Sequence, residues 1–100
     1  MKCNKLAKAG GNKPEISDVN IGNSRQIELN FQTFTAKDIV IVEYENNEIF
    51  NSGCIGTHNW EKVNLPTTGF TSKATVKILP NCMGSEPSTR WEFYIKCNNL

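Results

Sequence analysis

Polar and apolar residues alternate with a period of two along most of this chain, and that alternation predicts strands. Gln26-Ile27-Glu28-Leu29-Asn30-Phe31-Gln32 places Ile27, Leu29 and Phe31 on one face of a strand. Residues 38–44 (DIVIVEY) are denser in β-branched side chains. Such a run suits a strand covered on both faces, or one whose outer side rests on the amino-terminal arm. The two asparagines of Glu45-Asn46-Asn47-Glu48 tolerate the positive φ of a type I′ turn. They predict a tight hairpin into Ile49-Phe50, ended by Asn51-Ser52-Gly53. Residues 61–65 form a short strand closed by Pro66, with Thr67-Thr68-Gly69 as its turn. Residues 72–79 put Ala74, Val76 and Ile78 on one face and Lys73, Thr75 and Lys77 on the other, and Pro80-Asn81 stops them. A last strand over residues 90–97 directs Trp91, Phe93 and Ile95 inward and Glu92, Tyr94 and Lys96 outward.

Short strands separated by turn signals predict an all-β domain. The expected architecture is a single antiparallel β-sandwich, Ig-like or jelly-roll-like, of six to seven strands over residues 16–100. Residues 1–15 carry Gly10-Gly11-Asn12-Lys13-Pro14 and little periodic hydrophobicity. They read as an extended N-terminal arm, ordered only where something ties it down. No window is helical in pattern; only residues 2–9 could form a helical turn, which Gly10-Gly11 would end.

A length of 100 residues allows one domain. Eleven Lys+Arg against ten Asp+Glu leave +1 at pH 7, too little for the bulk field that non-specific nucleic-acid binding needs. Lys2, Lys5, Lys8 and Lys13 make the arm locally basic, but the near-neutral total disfavours nucleic acid as a partner. No apolar run approaches the roughly 20 residues of a membrane span. The stretch from Leu6 to Gly10 is too short and too charged for a signal-peptide core. Asn23-Ser24-Arg25 and Asn51-Ser52-Gly53 both fail as N-glycosylation acceptors.

Cys3, Cys54, Cys82 and Cys97 have no C-x-x-C spacing, which argues against a zinc knuckle or a redox pair. Each lies at a terminus or just past a predicted strand, where a cross-link leaves the ladders intact. The preferred pairing is Cys3–Cys97, pinning the arm beside the last strand, with Cys54–Cys82 joining two loops. Cys82–Cys97 is the rival, and four reduced thiols are the alternative to both. Disulfides imply an oxidising location, extracellular or in a virion. With no export signal read in the sequence, three routes there are a trimmed mature chain, unconventional export, or release by lysis within a virus particle.

Catalytic chemistry has little support. His58 is the single histidine, in the loop Gly56-Thr57-His58-Asn59-Trp60, and Cys54 lies four residues away, so the conceivable pair is a Cys54–His58 dyad. Glu43, Glu45 and Glu48 surround a protruding turn, where carboxylates are solvated and no glycosidase-type cleft forms. No nucleophile elbow, zincin, P-loop or dinucleotide motif occurs. The expectation is no enzyme and no metal or other cofactor. Calcium is the one ion for which loop oxygens (Asp18, Asp38, Asn51, Glu86) are at hand, without an EF-hand-type run. Among the aromatics, Trp91 is in phase with the core, Tyr94 falls on the opposite face, and Trp60 follows a polar loop with little obvious cover. Trp60, His58, Asn59 and Tyr94 are therefore the ligand-binding candidates.

Ile49-Phe50-Asn51-Ser52-Gly53-Cys54-Ile55-Gly56-Thr57 is similar to the FDTGCVGT-like hairpin exit of small β-sandwich modules in secreted bacterial and bacteriophage proteins. Leu79-Pro80-Asn81-Cys82-Met83-Gly84, then Thr89-x-Trp91-x-Phe93-x-x-x-Cys97, resembles their closing PNC-x-G, T-x-W-x-F and final cysteine. The resemblance covers about half the chain, residues 49–97, and implies an adhesion or carbohydrate-binding attachment, non-enzymatic, with a surface glycan or protein as partner. Asn51 stands where those modules carry aspartate, which weakens a metal role there, and they usually sit inside longer chains. The second expectation is a bacteriophage virion structural protein, a head decoration or tail/baseplate subunit, partnered by its own copies or other virion proteins.

Overall fold

The structure, a computed structural model, describes residues 6–22, 24–34, 36–57, 59–85 and 88–98. Eight strands follow in chain order: β1 (Leu6–Gly10), β2 (Glu15–Asn20), β3 (Gln26–Gln32), β4 (Ile39–Tyr44), β5 (Asn47–Asn51), β6 (Glu61–Pro66), β7 (Lys73–Leu79) and β8 (Trp91–Asn98). None of the described residues is helical. The strands form two four-stranded antiparallel sheets, ordered β1-β8-β3-β6 and β2-β7-β4-β5. The pairing is concentric: β1 with β8, β2 with β7, β3 with β6 and β4 with β5. That is the order produced when one long antiparallel ribbon wraps into a sandwich, so the connectivity is a jelly roll.

The inward rows are those the alternation predicts. Leu29 lies opposite both Val63 and Ile95, and Phe31 opposite Phe93. In the second sheet Val42 lies opposite Val76, and Val40 opposite Ile78. Ile27, Leu29, Phe31, Val40, Val42, Ala74, Val76, Ile78, Trp91, Phe93 and Ile95 are all buried in one core cluster. Each large side chain removed from water there stabilises the fold by roughly 1.5–3 kcal/mol.

Within the amino-terminal segment, residues 6–10 are extended and tied down as the edge strand β1, not a helical turn, paired with β8 from Leu6↔Ile95 to Gly10↔Trp91. Alanines and a lysine hide the alternation there. The site is held instead by Trp91: its Nε1 donates to the Gly11 carbonyl at 2.9 Å, and a Cβ on Gly10 would run into its ring. Residues 15–20 are the further strand β2, which brings the count to eight. Because the arm joins the first sheet, it does not cover β4 in the second, and Ile39 and Ile41 stay half-buried on the outer face. The hairpin turn is also shifted by one residue. Glu45 and Asn46 take the positive φ values of 51° and 63°, and Asn47 already pairs with Tyr44.

Antiparallel connectivity sends alternate loops to opposite ends of a molecule measuring 41 × 24 × 17 Å. The first end gathers residues 11–14, 33–38, 52–60 and 80–90, and the second gathers 21–25, 45–46 and 67–72. At the first end Cys54 and Cys82 form a disulfide with Cα atoms 5.9 Å apart, which removes the Cys82–Cys97 pairing. Cys97 is also disulfide-bonded, and its expected partner Cys3 lies outside the described residues. Beside the Cys54–Cys82 bridge, buried Asp38 accepts hydrogen bonds at Oδ1 from the Asn81 amide (2.9 Å) and the Thr89 hydroxyl (2.6 Å). The amides of Thr33 and Thr57 donate to each other's hydroxyl oxygens at 2.9 and 3.1 Å, locking the two loops together.

Candidate binding face

The outer face of the first sheet is set by the polar phase of its strands. Register aligns Ala7, Tyr94, Asn30 and Lys62 in one row. A second row runs Ala9, Glu92 and Gln32, and a third runs Lys96, Glu28 and Asn64. Tyr94 is half-buried, with the small Ala7 of β1 as its neighbour on one side. Trp60, the residue before β6, leans its ring on Tyr94 with centroids 5.2 Å apart and planes tilted by 59°. Trp60 remains 44% exposed, so much of its ring faces water. The Lys96 ammonium lies 5.6 Å from the Tyr94 ring centroid, a cation–π contact.

Polar groups frame this aromatic pair. Asn30 Nδ2 donates to Glu28 Oε1 at 2.9 Å, and Gln32 Nε2 donates to Glu92 Oε1. Each amide is oriented by a carboxylate, and Glu28 and Glu92 are balanced on the same face by Lys62 and Lys96. Asn30 is buried, whereas Gln32, Glu28 and Glu92 are half-buried, so the face offers rings for the C–H side of a flat ligand and these three polar groups for its hydroxyls.

Two of the four residues expected to contact a ligand, Trp60 and Tyr94, are thus in contact with each other. Asn59 is exposed beside Trp60, and His58 lies outside the described residues. The pairing of Cys54 with Cys82 takes away the thiol that a Cys54–His58 dyad would need. Asn30, Gln32, Glu28 and Glu92 were missed by the sequence reading. Their outward phase was legible, but their nearness to Trp60 depends on a loop that no periodicity describes.

The carboxylates near the hairpin are not simply solvated, as the sequence suggested. Glu43 pairs with Lys77 at 3.0 Å, and Glu45 Oε2 accepts the amides of Phe70 and Thr71 at 2.8 and 3.1 Å. The oxygens considered for calcium have partners too. Asp18 Oδ1 accepts from the Thr75 hydroxyl, Asn51 Oδ1 from the Gly53 amide and Asp38 Oδ1 from two donors, while Glu86 lies outside the described residues. Among the described residues no three His, Cys, Asp or Glu side chains gather as a metal site.

The outer face of the second sheet differs in kind. Ile16 is 68% and Leu79 42% exposed, beside half-buried Ile39 and Ile41. Lys73 and Lys77 on β7 are flanked by Asp18 on β2 and by Glu43 on β4, with Glu48 beyond it on β5.

Fold and face together define a class: a small disulfide-bridged jelly-roll domain with an aromatic pair half-open to solvent on one sheet. The chain matches no protein-family model and no curated protein sequence. No helix among the described residues is long and apolar enough to cross a membrane.

Proposed function

We propose that the protein is a non-enzymatic binding module that holds a glycan on the outer face of its first sheet, at an extracellular surface or in a virion. The observation that carries this reading is the Trp60–Tyr94 ring pair, half-open to solvent and framed by Gln32, Glu28 and Glu92. Sugar rings present an apolar C–H face and a rim of hydroxyls, and the site supplies a counterpart for each. The similarity of residues 49–97 to attachment modules supports the same reading by analogy. Disulfide bonding agrees with an oxidising location. Glycan-array screening followed by calorimetry tests it. A responding sugar should bind Trp60→Ala at least about tenfold more weakly, about 1.4 kcal/mol. Absence of any sugar response, or unchanged binding by Trp60→Ala, counts decisively against it.

A virion structural subunit is the second reading, favoured by the aliphatic outer face of the second sheet. Its occupant would be a second copy of this chain. A two-fold contact would set the β7 lysines of one copy over Asp18, Glu43 and Glu48 of the other, with the isoleucines between them. Light scattering decides: a dimer that Ile16→Lys converts to monomer supports this reading, and a monomer at millimolar concentration removes it.

A further inference from the structure

We propose a second binding site at the end of the sandwich far from the Cys54–Cys82 bridge, where Phe70 and Arg25 take an acidic saccharide, a uronate. This goes beyond the sheet-face reading and does not depend on it. Phe70 is fully exposed, at 104% of its reference area. An isolated phenylalanine at the tip of a loose loop would mean little, but this loop is held on both legs. The amides of Phe70 and Thr71 donate to Glu45 Oε2, the Tyr44 hydroxyl donates to the Thr71 carbonyl at 3.3 Å, and Gly69 packs directly on the Glu45 carboxylate. On the other leg the Thr67 amide donates to the Arg25 carbonyl at 2.9 Å, and its hydroxyl donates to the Ser24 carbonyl at 2.8 Å. The backbone that carries the ring is held on both legs, so binding would lose little loop freedom.

Phe70 lines two clefts. One, of about 240 Å³, is lined by Arg25, Thr68, Thr71 and Gly69. The other, of about 570 Å³, is lined by Glu45, Asn46, Lys73 and Thr75. The acids nearby are already engaged: Glu43 by Lys77, Glu45 by two amides, and Asp18 by Thr75 with Lys73 at 3.9 Å. Glu48 lines neither cleft. The Arg25 guanidinium has no ion pair or hydrogen bond among the described residues, so its forked donors are available to a carboxylate. A ligand for this site needs an anionic group for Arg25, hydroxyls for Thr68 and Thr71, and an apolar face for Phe70. A uronate ring carries all three, whereas a phosphate lacks the apolar face. The smaller cleft admits one ring.

The test is an amide-resolved NMR titration with trigalacturonate, with cellotriose as the neutral probe and tetraglutamate as the acidic peptide. Trigalacturonate should shift the amides of residues 22, 24, 25 and 68–71 saturably. Arg25→Gln and Phe70→Ala, both changes at exposed positions, should each weaken binding about tenfold, and Trp60→Ala should leave it unchanged. Added salt should weaken binding as well. No shift at these amides overturns the proposal, and so does equal binding of cellotriose or tetraglutamate. Shifts confined to residues 60 and 94 and lost in Trp60→Ala would also overturn it, while supporting the sheet-face reading instead.

Discussion

The two ends of this jelly roll solve the same problem by different chemistry. At the first end, loops that start far apart in sequence are tied by a covalent bridge and by buried Asp38, whose carboxylate joins β4 to the β7–β8 connection. At the second end none of the three loops contains a cysteine. There a partly exposed carboxylate, Glu45, holds the β6–β7 loop through two backbone amides. Loop length accounts for the difference. The first end must hold the long segments 52–60 and 80–90, whereas the second has a two-residue hairpin and two short connections. The cross-link there joins residues 28 apart in sequence, and its effect on the unfolded chain grows with the length enclosed.

Removing the bridge is the strongest way to break the contrast. The double variant Cys54→Ala with Cys82→Ala opens a loop whose ends are 28 residues apart. In the chain-entropy model that lowers stability by about 3–4 kcal/mol. Guanidinium unfolding should report this loss, and hydrogen exchange should quicken in residues 52–60 and 80–90 before residues 67–72. Asp38→Ala comes next, because it strips the acceptor from the Thr89 hydroxyl and the Asn81 amide, at about 2–3 kcal/mol. Thermal melts check it, and a loss below 0.5 kcal/mol would show that the disulfide alone organises that end. Glu45→Ala should lower stability by only about 1 kcal/mol, since water can replace an exposed acceptor. Its sharper signature is faster exchange at the amides of Phe70 and Thr71 with the first end unaffected. Smallest is Lys77→Met on the outer face between the ends: the half-exposed ion pair with Glu43 should matter by less than about 0.5 kcal/mol in a melt.

How far the sequence could be read depended on whether local chemistry set the outcome. The inward rows Ile27-Leu29-Phe31, Ala74-Val76-Ile78 and Trp91-Phe93-Ile95 were legible because a pleated strand sends alternate side chains to opposite faces. The cysteines at the ends of strands β5 and β7 were legible as loop ties, and their pairing is the one preferred from sequence. Strand β1 was not legible. Its residues Leu6–Gly10 have weak strand signals, and their pairing comes from β8 and from the Trp91 ring over Gly10. The hairpin shift escaped notice for a similar reason, because Glu45 accepts an unfavourable φ while its carboxylate caps a loop 25 residues away.

By itself the sequence determined the class of fold, the identity of most core residues and the outward phase of Tyr94, all of which follow from side-chain periodicity. Only the tertiary structure decided that the wrapping is a jelly roll, that Trp60 rests on Tyr94, and that Phe70 stands beside Arg25. Those outcomes depend on contacts between segments distant along the chain. Their energies come from ring packing, a buried carboxylate and loop closure, none of which leaves a periodic mark on the sequence.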